Sequence, residues 1–491
     1  YPQIADRLAA LSEGFPNFTK AIRTITLRFI LARETEKITR KLQDEIIPEM
    51  IKLGPKISQK INLKDINPEL LGNEMNPEWQ NMLSKSSLGK KMEEFSELQQ
   101  EGADVMHSTF VHLKHFPFFR ELGNWFMPFT TEHSAFGNQL SKNQTEKDML
   151  DSMTLAAFMC NSDKYSLYFS MMQLPDQARQ MMMGQFGSQA SEMIQQTKEE
   201  LISKRGKLEI ISGQYIQDLY RFFKLSVRKS EFRDIFKEKL DLHHVPALDN
   251  ILHWEDVLFP IADFYLSKER WDEAIEIYEE LETIGGFEGE SAEYYQKFGY
   301  ALQKRKKYAE AIQAYLKADT LKPDNIWNNR HLAICYRLNR NYQVAITYYK
   351  KVEEAAPEDT NVTFHIGSCL AELGQYEEAL NYFFKLDFIE NNCIKAWRGI
   401  GWCSFISQKH EQAMKYYEKI IEQKPLAIDY MNAGHVAWVM GDIQKASVFY
   451  GKAITASGNR ERFLEMFHKD EEALLTQGIR EEDIPLMLDL L

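Results

Sequence analysis

Tyr342 to Pro357 reads YQVAITYYKKVEEAAP, and Tyr376 to Asn391, 34 residues further on, reads YEEALNYFFKLDFIEN. An alanine holds the same place in both, and an aromatic follows four residues later. Working outward, the pattern centres on Ala274, Ala311, Ala345, Ala379, Ala413 and Ala446, spaced by 37, 34, 34, 34 and 33 residues. The aromatics are Tyr278, Tyr315, Tyr349, Phe383, Tyr417 and Tyr450. Twelve positions before each alanine stands a small residue: Ala262, Gly299, Ala333, Gly367, Gly401 and Gly434. Twelve positions after come Gly286, Pro323, Pro357, Asn391, Pro425 and Gly458. A fixed period of this length marks a stacked repeat.

Packing explains the residue types. Each unit predicts two helices. A small residue midway in the first and an alanine in the second let the axes approach closely, and the aromatic one turn on fills the gap to the next hairpin. Proline or glycine stops the second helix. A single hairpin cannot bury its apolar face, so neighbours must stack.

These residues resemble the tetratricopeptide repeat family. The resemblance covers six units starting near Glu255, Ala292, Ile326, Thr360, Ile394 and Ala427. It implies an all-α, right-handed superhelix of helical hairpins over residues 255–459. The first unit departs from the pattern, being three residues longer and ending on Gly285-Gly286. The family's early tryptophan falls in register only at Trp397.

The resemblance also implies that the second, fifth, ninth and twelfth positions of each unit line an inner groove. Those positions supply Trp327, Arg330 and Arg337, then Asn361, Phe364 and Ser368, then Lys395, Arg398, Trp402 and Phe405, then Met431, His435 and Trp438. Aromatics with arginine are the types enriched at binding hot spots. The expected partner is a protein or peptide with apolar anchors and a carboxylate. Two other readings stay open: the chain's own segment fills the groove, or these side chains pack between hairpins. Members that grip a terminal carboxylate use lysine and asparagine in the first unit. Phe259 and Asp263 stand there instead, so that mode is not expected.

Residues 1–245 are expected to form a separate helical domain, a bundle or a set of degenerate hairpins. Apolar spacing predicts helices over 18–53, 92–115, 145–172, 189–204 and 212–227. A loop rich in proline, asparagine and glycine is expected over 54–86. HFPFFRELGNWFMPF, His115 to Phe129, reads as a buried connector. The boundary is placed at DLHHVPALDN, Asp241 to Asn250. The last segment, 460–491, predicts a capping helix and an apolar tail, IPLMLDLL, that must dock somewhere.

Composition narrows the function class. Residues 251–491 hold 27 Lys+Arg against 39 Asp+Glu, and residues 1–250 hold 32 against 33. An acidic repeat half lacks the basic footprint of a phosphate-backbone binder, so nucleic acid is not an expected partner. The run KRKK, Lys304 to Lys307, is the local exception; it reads as a solvated turn or a contact for an anionic partner. No apolar run is long enough to span a bilayer. Five cysteines without a CxxC fit a reducing compartment, so the cytoplasm is expected. The chain starts at Tyr1, which leaves room for an upstream signal.

No metal or cofactor is expected. Cys335, Cys369 and Cys403 share one register, but successive hairpins lie roughly 10 Å apart by helix packing. Zinc needs its sulfurs about 2.3 Å away. His112 and His115 share a helix face without a third ligand, and His243-His244 read as ordinary histidines. The methionines around 171–183 read as core or as an adaptable surface. No nucleophile elbow, phosphate loop, dinucleotide fingerprint or HExxH occurs. A non-catalytic adaptor is the expected function. The alternatives are an active site in the N-terminal domain, or a regulator that binds nucleic acid through it.

Overall fold

The structure is a computed structural model that describes residues 18–41, 114–130, 161–181, 204–237, 255–284 and 291–491, with scattered positions between them. The expected loop over 54–86, nearly all of the helices expected over 92–115 and 189–204, the boundary segment 241–250 apart from Val245, and His112, His243, His244, Met182 and Met183 lie outside these residues. The chain divides into two compact units, Tyr1–Ile261 and Ala262–Leu491. Among the described residues every regular element is helical, and none is long and apolar enough to cross a membrane.

The N-terminal unit contains α1 (Phe18–Arg33), α2 (Thr35–Lys41), α3 (Asn161–Met172) and α4 (Lys204–Leu225). Helix α4 packs on α1 and touches α3. The aromatic connector forms two short 3-10 turns, Pro117–Arg120 and Leu122–Trp125, which bury Phe119 and Trp125. The Trp125 indole donates to the Phe119 carbonyl at 2.8 Å. Within the stretch expected as one helix over 145–172, Leu150, Met153 and Thr154 are helical, Ala156, Met159 and Cys160 are not, and α3 begins at Asn161. Its start is set by Asp218 on α4, whose carboxylate accepts the Ser162 amide at 2.9 Å and the Asn161 amide at 3.2 Å. A cap supplied by a side chain 57 residues away in sequence leaves no local signature.

The repeat half is a run of hairpins: α5 (Glu255–Ser267) with α6 (Trp271–Ile284), α7 (Ala292–Lys304) with α8 (Tyr308–Leu321), and α9 (Ile326–Leu338) with α10 (Tyr342–Ala355). Then come α11 (Thr360–Glu372) with α12 (Tyr376–Ile389), α13 (Ile394–Ile406) with α14 (His410–Ile421), and α15 (Ala427–Val439) with α16 (Ile443–Ser457). The first helices begin at the residues that the repeat register marks. Helices α17 (Arg460–Phe467), α18 (Glu471–Thr476) and α19 (Asp483–Asp489) follow.

The repeat aromatic turns out to be gripped from both sides. A Cβ added to Gly401 would lie 2.9 Å from the Tyr417 ring, and one on Gly434 2.5 Å from Tyr450, so each ring presses on the glycine of its own hairpin. The Phe383 ring also meets the following hairpin, where a Cβ on Gly399 would stand 2.7 Å away. His331 and His365 hold the equivalent place on Tyr315 and Tyr349, with ring centroids 5.7 and 5.5 Å apart.

Candidate partner-binding groove

Successive first helices touch one another directly, α7 with α9, α11 with α13 and α13 with α15, so they line one face of the array. Along that face the side chains picked out from the sequence separate into three groups.

The first group keeps part of its surface in water. Trp327 is 41% exposed, and its ring lies tilted against His331, with centroids 3.9 Å apart. Phe364 and Trp402 are half-buried. Lys395 stands over the Phe364 ring at 5.9 Å and reaches Glu390 at 3.7 Å.

The second group consists of arginines committed to neighbours. Arg330 pairs with Asp359 at 2.7 Å. Asp359 is the N-cap of α11 and accepts the amides of Asn361 and Val362. Burial pushes its carboxyl up, but Arg330 and the two amides outweigh that and hold it below the usual carboxylate range. Arg398 grips Asp429 through two bonds of 2.7 Å, and Asp429 also accepts the Leu426 amide. Those hydrogen bonds push the Arg398 guanidinium up. Both arginines tie a first helix to the start of the next. Arg337 donates to the Tyr349 hydroxyl at 3.4 Å. Arg330 and Arg398 look like free groove cations in the sequence because their acids lie about one repeat away, and Arg337 because its partner is an uncharged hydroxyl.

The third group is closed off. Phe405, Met431, His435 and Trp438 are buried. The His435 ring contacts the Tyr450 hydroxyl through Nδ1 at 2.8 Å and lies 3.5 Å from Asp470 through Nε2. Burial pushes its pKa down, with Asp470 opposing, so the ring stays neutral. Phe467 of α17 packs on the same imidazole, with centroids 5.3 Å apart. Gln477, just past α18, donates to the Ile406 carbonyl at the end of α13. The chain's own C-terminal segment therefore covers this end, and Ile484 and Met487 of α19 are buried in the same core. Ser368 bonds back to the Phe364 carbonyl, and Asn361 is exposed.

The three in-register cysteines are buried among apolar side chains. Burial pushes the thiols up, to about 12 at Cys335, about 11 at Cys369 and about 12 at Cys403, which leaves them protonated. Among the described residues no group of histidine, cysteine or carboxylate side chains could hold a metal ion.

Sequence reasoning missed a charged cluster in the N-terminal unit. Asp163 receives Lys114 at 2.7 Å and Arg221 at 2.6 Å, and the three side chains are only 1–3% exposed. Lys114 also donates to the Ser162 and Ser166 hydroxyls. Burial raises the Asp163 carboxyl, but the two cations overcome it and hold it low. Lys164, beside them, donates to the Thr154 carbonyl and is pushed down to about 8 by burial.

Models of the tetratricopeptide repeat match residues 335–386, 292–325 with 394–425, and 258–285. No curated protein is similar enough in sequence to count as a relative. Among solved structures, the chain is similar to YrrB, described as a TPR protein with an unusual peptide-binding site. The identity is 23%, covering 36% of this chain and 93% of that one, with a TM-score of 0.33. A tetratricopeptide repeat protein from Parabacteroides merdae matches at 18% identity over 48% of this chain and 97% of its own, with a TM-score of 0.35. MamA MSR-1 matches at 24% over 34% and 93%, with a TM-score of 0.31.

Proposed function

Residues 258–425 of this chain are tetratricopeptide repeats, and on that premise we propose that the protein is a non-catalytic adaptor. It holds a segment of a partner protein along the inner helices α7 to α13. The half-exposed Trp327 ring carries this reading. A large aromatic that leaves 41% of its surface in water on a helical face gains most when a partner covers it. Phe364 and Trp402 continue the apolar row, and Lys395 supplies a cation for a carboxylate on the bound segment. The end covered by the C-terminal segment takes no part.

Arg398 is unsuitable for testing the groove, because its loss would strand the buried Asp429. Trp327→Ala combined with Trp402→Ala is expected to abolish capture of the cellular partner in a pull-down. Because both rings also pack on neighbours, the melting temperature falls, and circular dichroism establishes that the array stays folded. Recovery of every partner at the wild-type level by this folded double variant would defeat the proposal.

Among the described residues of the N-terminal unit, the titratable groups that cluster include Cys160, Asp163, Lys164 and Asp218. All four are buried, and burial pushes the Cys160 thiol well up. A protonated thiol without access to solvent is a poor nucleophile. Asp163 is already saturated by its two cations, which favours a structural role for the cluster.

A further inference from the structure

The aromatic row extends beyond the residues picked out from the sequence. Trp271 at the start of α6, Tyr300 on α7, and Trp327 and His331 on α9 touch in order, with ring centroids 5.8, 6.1 and 3.9 Å apart. Lys304 borders the row. Its ammonium stands 5.0 Å from the Tyr300 ring and 5.9 Å from Trp271.

Charge pairing around this row is uneven. On the turn after α7, Arg305 is held by Asp272 at 2.6 Å and Lys307 by Glu310 at 3.3 Å. Among the described residues Lys304 and Lys306 meet no carboxylate within ion-pair distance. Elsewhere on the inner face Arg330 and Arg398 are committed to acids, and Lys297 serves both Asp263 and Glu293. The cation–π contacts of Lys304 use its charge but leave its N–H donors available.

We propose that this row is the anchoring subsite of the groove. Its occupant is an extended segment of another protein that carries a large apolar side chain next to a carboxylate. The inference rests on the groove reading above and adds the place and the chemistry. The apolar side chain covers Trp327 and Tyr300, and the carboxylate is drawn to Lys304, with Lys306 strengthening the local field. The protein carries a net charge of -13, so an acidic segment is repelled over most of the surface and welcomed here. A nucleic-acid backbone is disfavoured, because Asp272, Glu310, Asp263 and Glu293 flank the same turn and helix.

The test is selection from a displayed library of random short peptides on the full chain, followed by affinity measurements on variants shown to melt like the wild type. Selected peptides are expected to pair a carboxylate with a large apolar residue. Trp327→Ala should weaken them by about tenfold or more, as for a hot-spot aromatic. Lys304→Gln should weaken them by about three- to fivefold, a difference that disappears in high salt. If Trp402→Ala weakens the peptides while Trp327→Ala and Lys304→Gln do not, the groove reading survives and this subsite is wrong. Peptides indifferent to all three changes would overturn both, and a selection that yields no peptide counts equally against the subsite.

Discussion

Asp163 shows how much a single buried side chain can decide. It neutralises Lys114 and Arg221, two cations that lie almost wholly out of water. Asp163→Asn keeps the volume but leaves both cations without a counter-charge. Breaking a buried pair in this way costs about 3–5 kcal/mol. Chemical denaturation of the full chain should show the transition of the N-terminal unit shifting by that amount, while the repeat half keeps its own. A shift under about 1 kcal/mol would mean that water or another anion serves these cations. None of this was legible beforehand, because Lys114, Asp163 and Arg221 are 49 and 58 residues apart and share no periodic pattern. The repeat alanines and aromatics were legible, because the same contact recurs once per period.

At the scale of the element, the turn inside each hairpin is the most regular feature after the helices. Its central residue has a left-handed backbone in every hairpin: Glu269, Lys306, Arg340, Gly374, Gln408 and Gly441. The next amide closes a bond to the carbonyl five residues back, as in Asn341 to Tyr336 and Gln375 to Leu370, both at 2.9 Å. Only two of the six residues are glycine, so the sequence did not announce the conformation. Arg340, with φ 59°, carries the strain that a side chain meets in this region. Arg340→Gly should raise stability by about 0.5–1 kcal/mol, and Gly374→Ala should lower it by a similar amount. Opposite signs in thermal melts are the expected result; equal signs would mean that side-chain contacts at the turn outweigh backbone strain.

For the whole molecule, the histidines set a pH dependence. Burial pushes His331 down to about 4, and nearby Arg330 and Lys304 add to the effect. Burial likewise takes His365 to about 4, with Arg337, Lys395 and Arg330 lowering it and Asp359 opposing. Both rings stay neutral in the folded state, whereas in the unfolded chain they bind protons below about 6.5. A depressed histidine therefore contributes stability above its unfolded pKa. That stability drains away as the pH falls from about 6.5 towards 4. Melting temperatures measured across this range should decline, and the double variant His331→Gln with His365→Gln should decline less steeply. Parallel profiles for the two proteins would show that other groups control the acid response.

The sequence by itself determined the helical hairpins, their order and the starts of their first helices. Those depend on contacts that repeat at a fixed spacing, so the period records them. It also picked out Trp327, Phe364 and Trp402 along the inner helices. Only the tertiary structure decided which inner side chains remain open. Arg330 and Arg398 are taken by acids at the start of the following first helix, and His435 is walled in by Phe467 and Asp470 from the C-terminal segment. The physical reason is that repetition specifies backbone and packing, whereas the availability of a charge or a ring depends on a neighbour that the repeat does not encode.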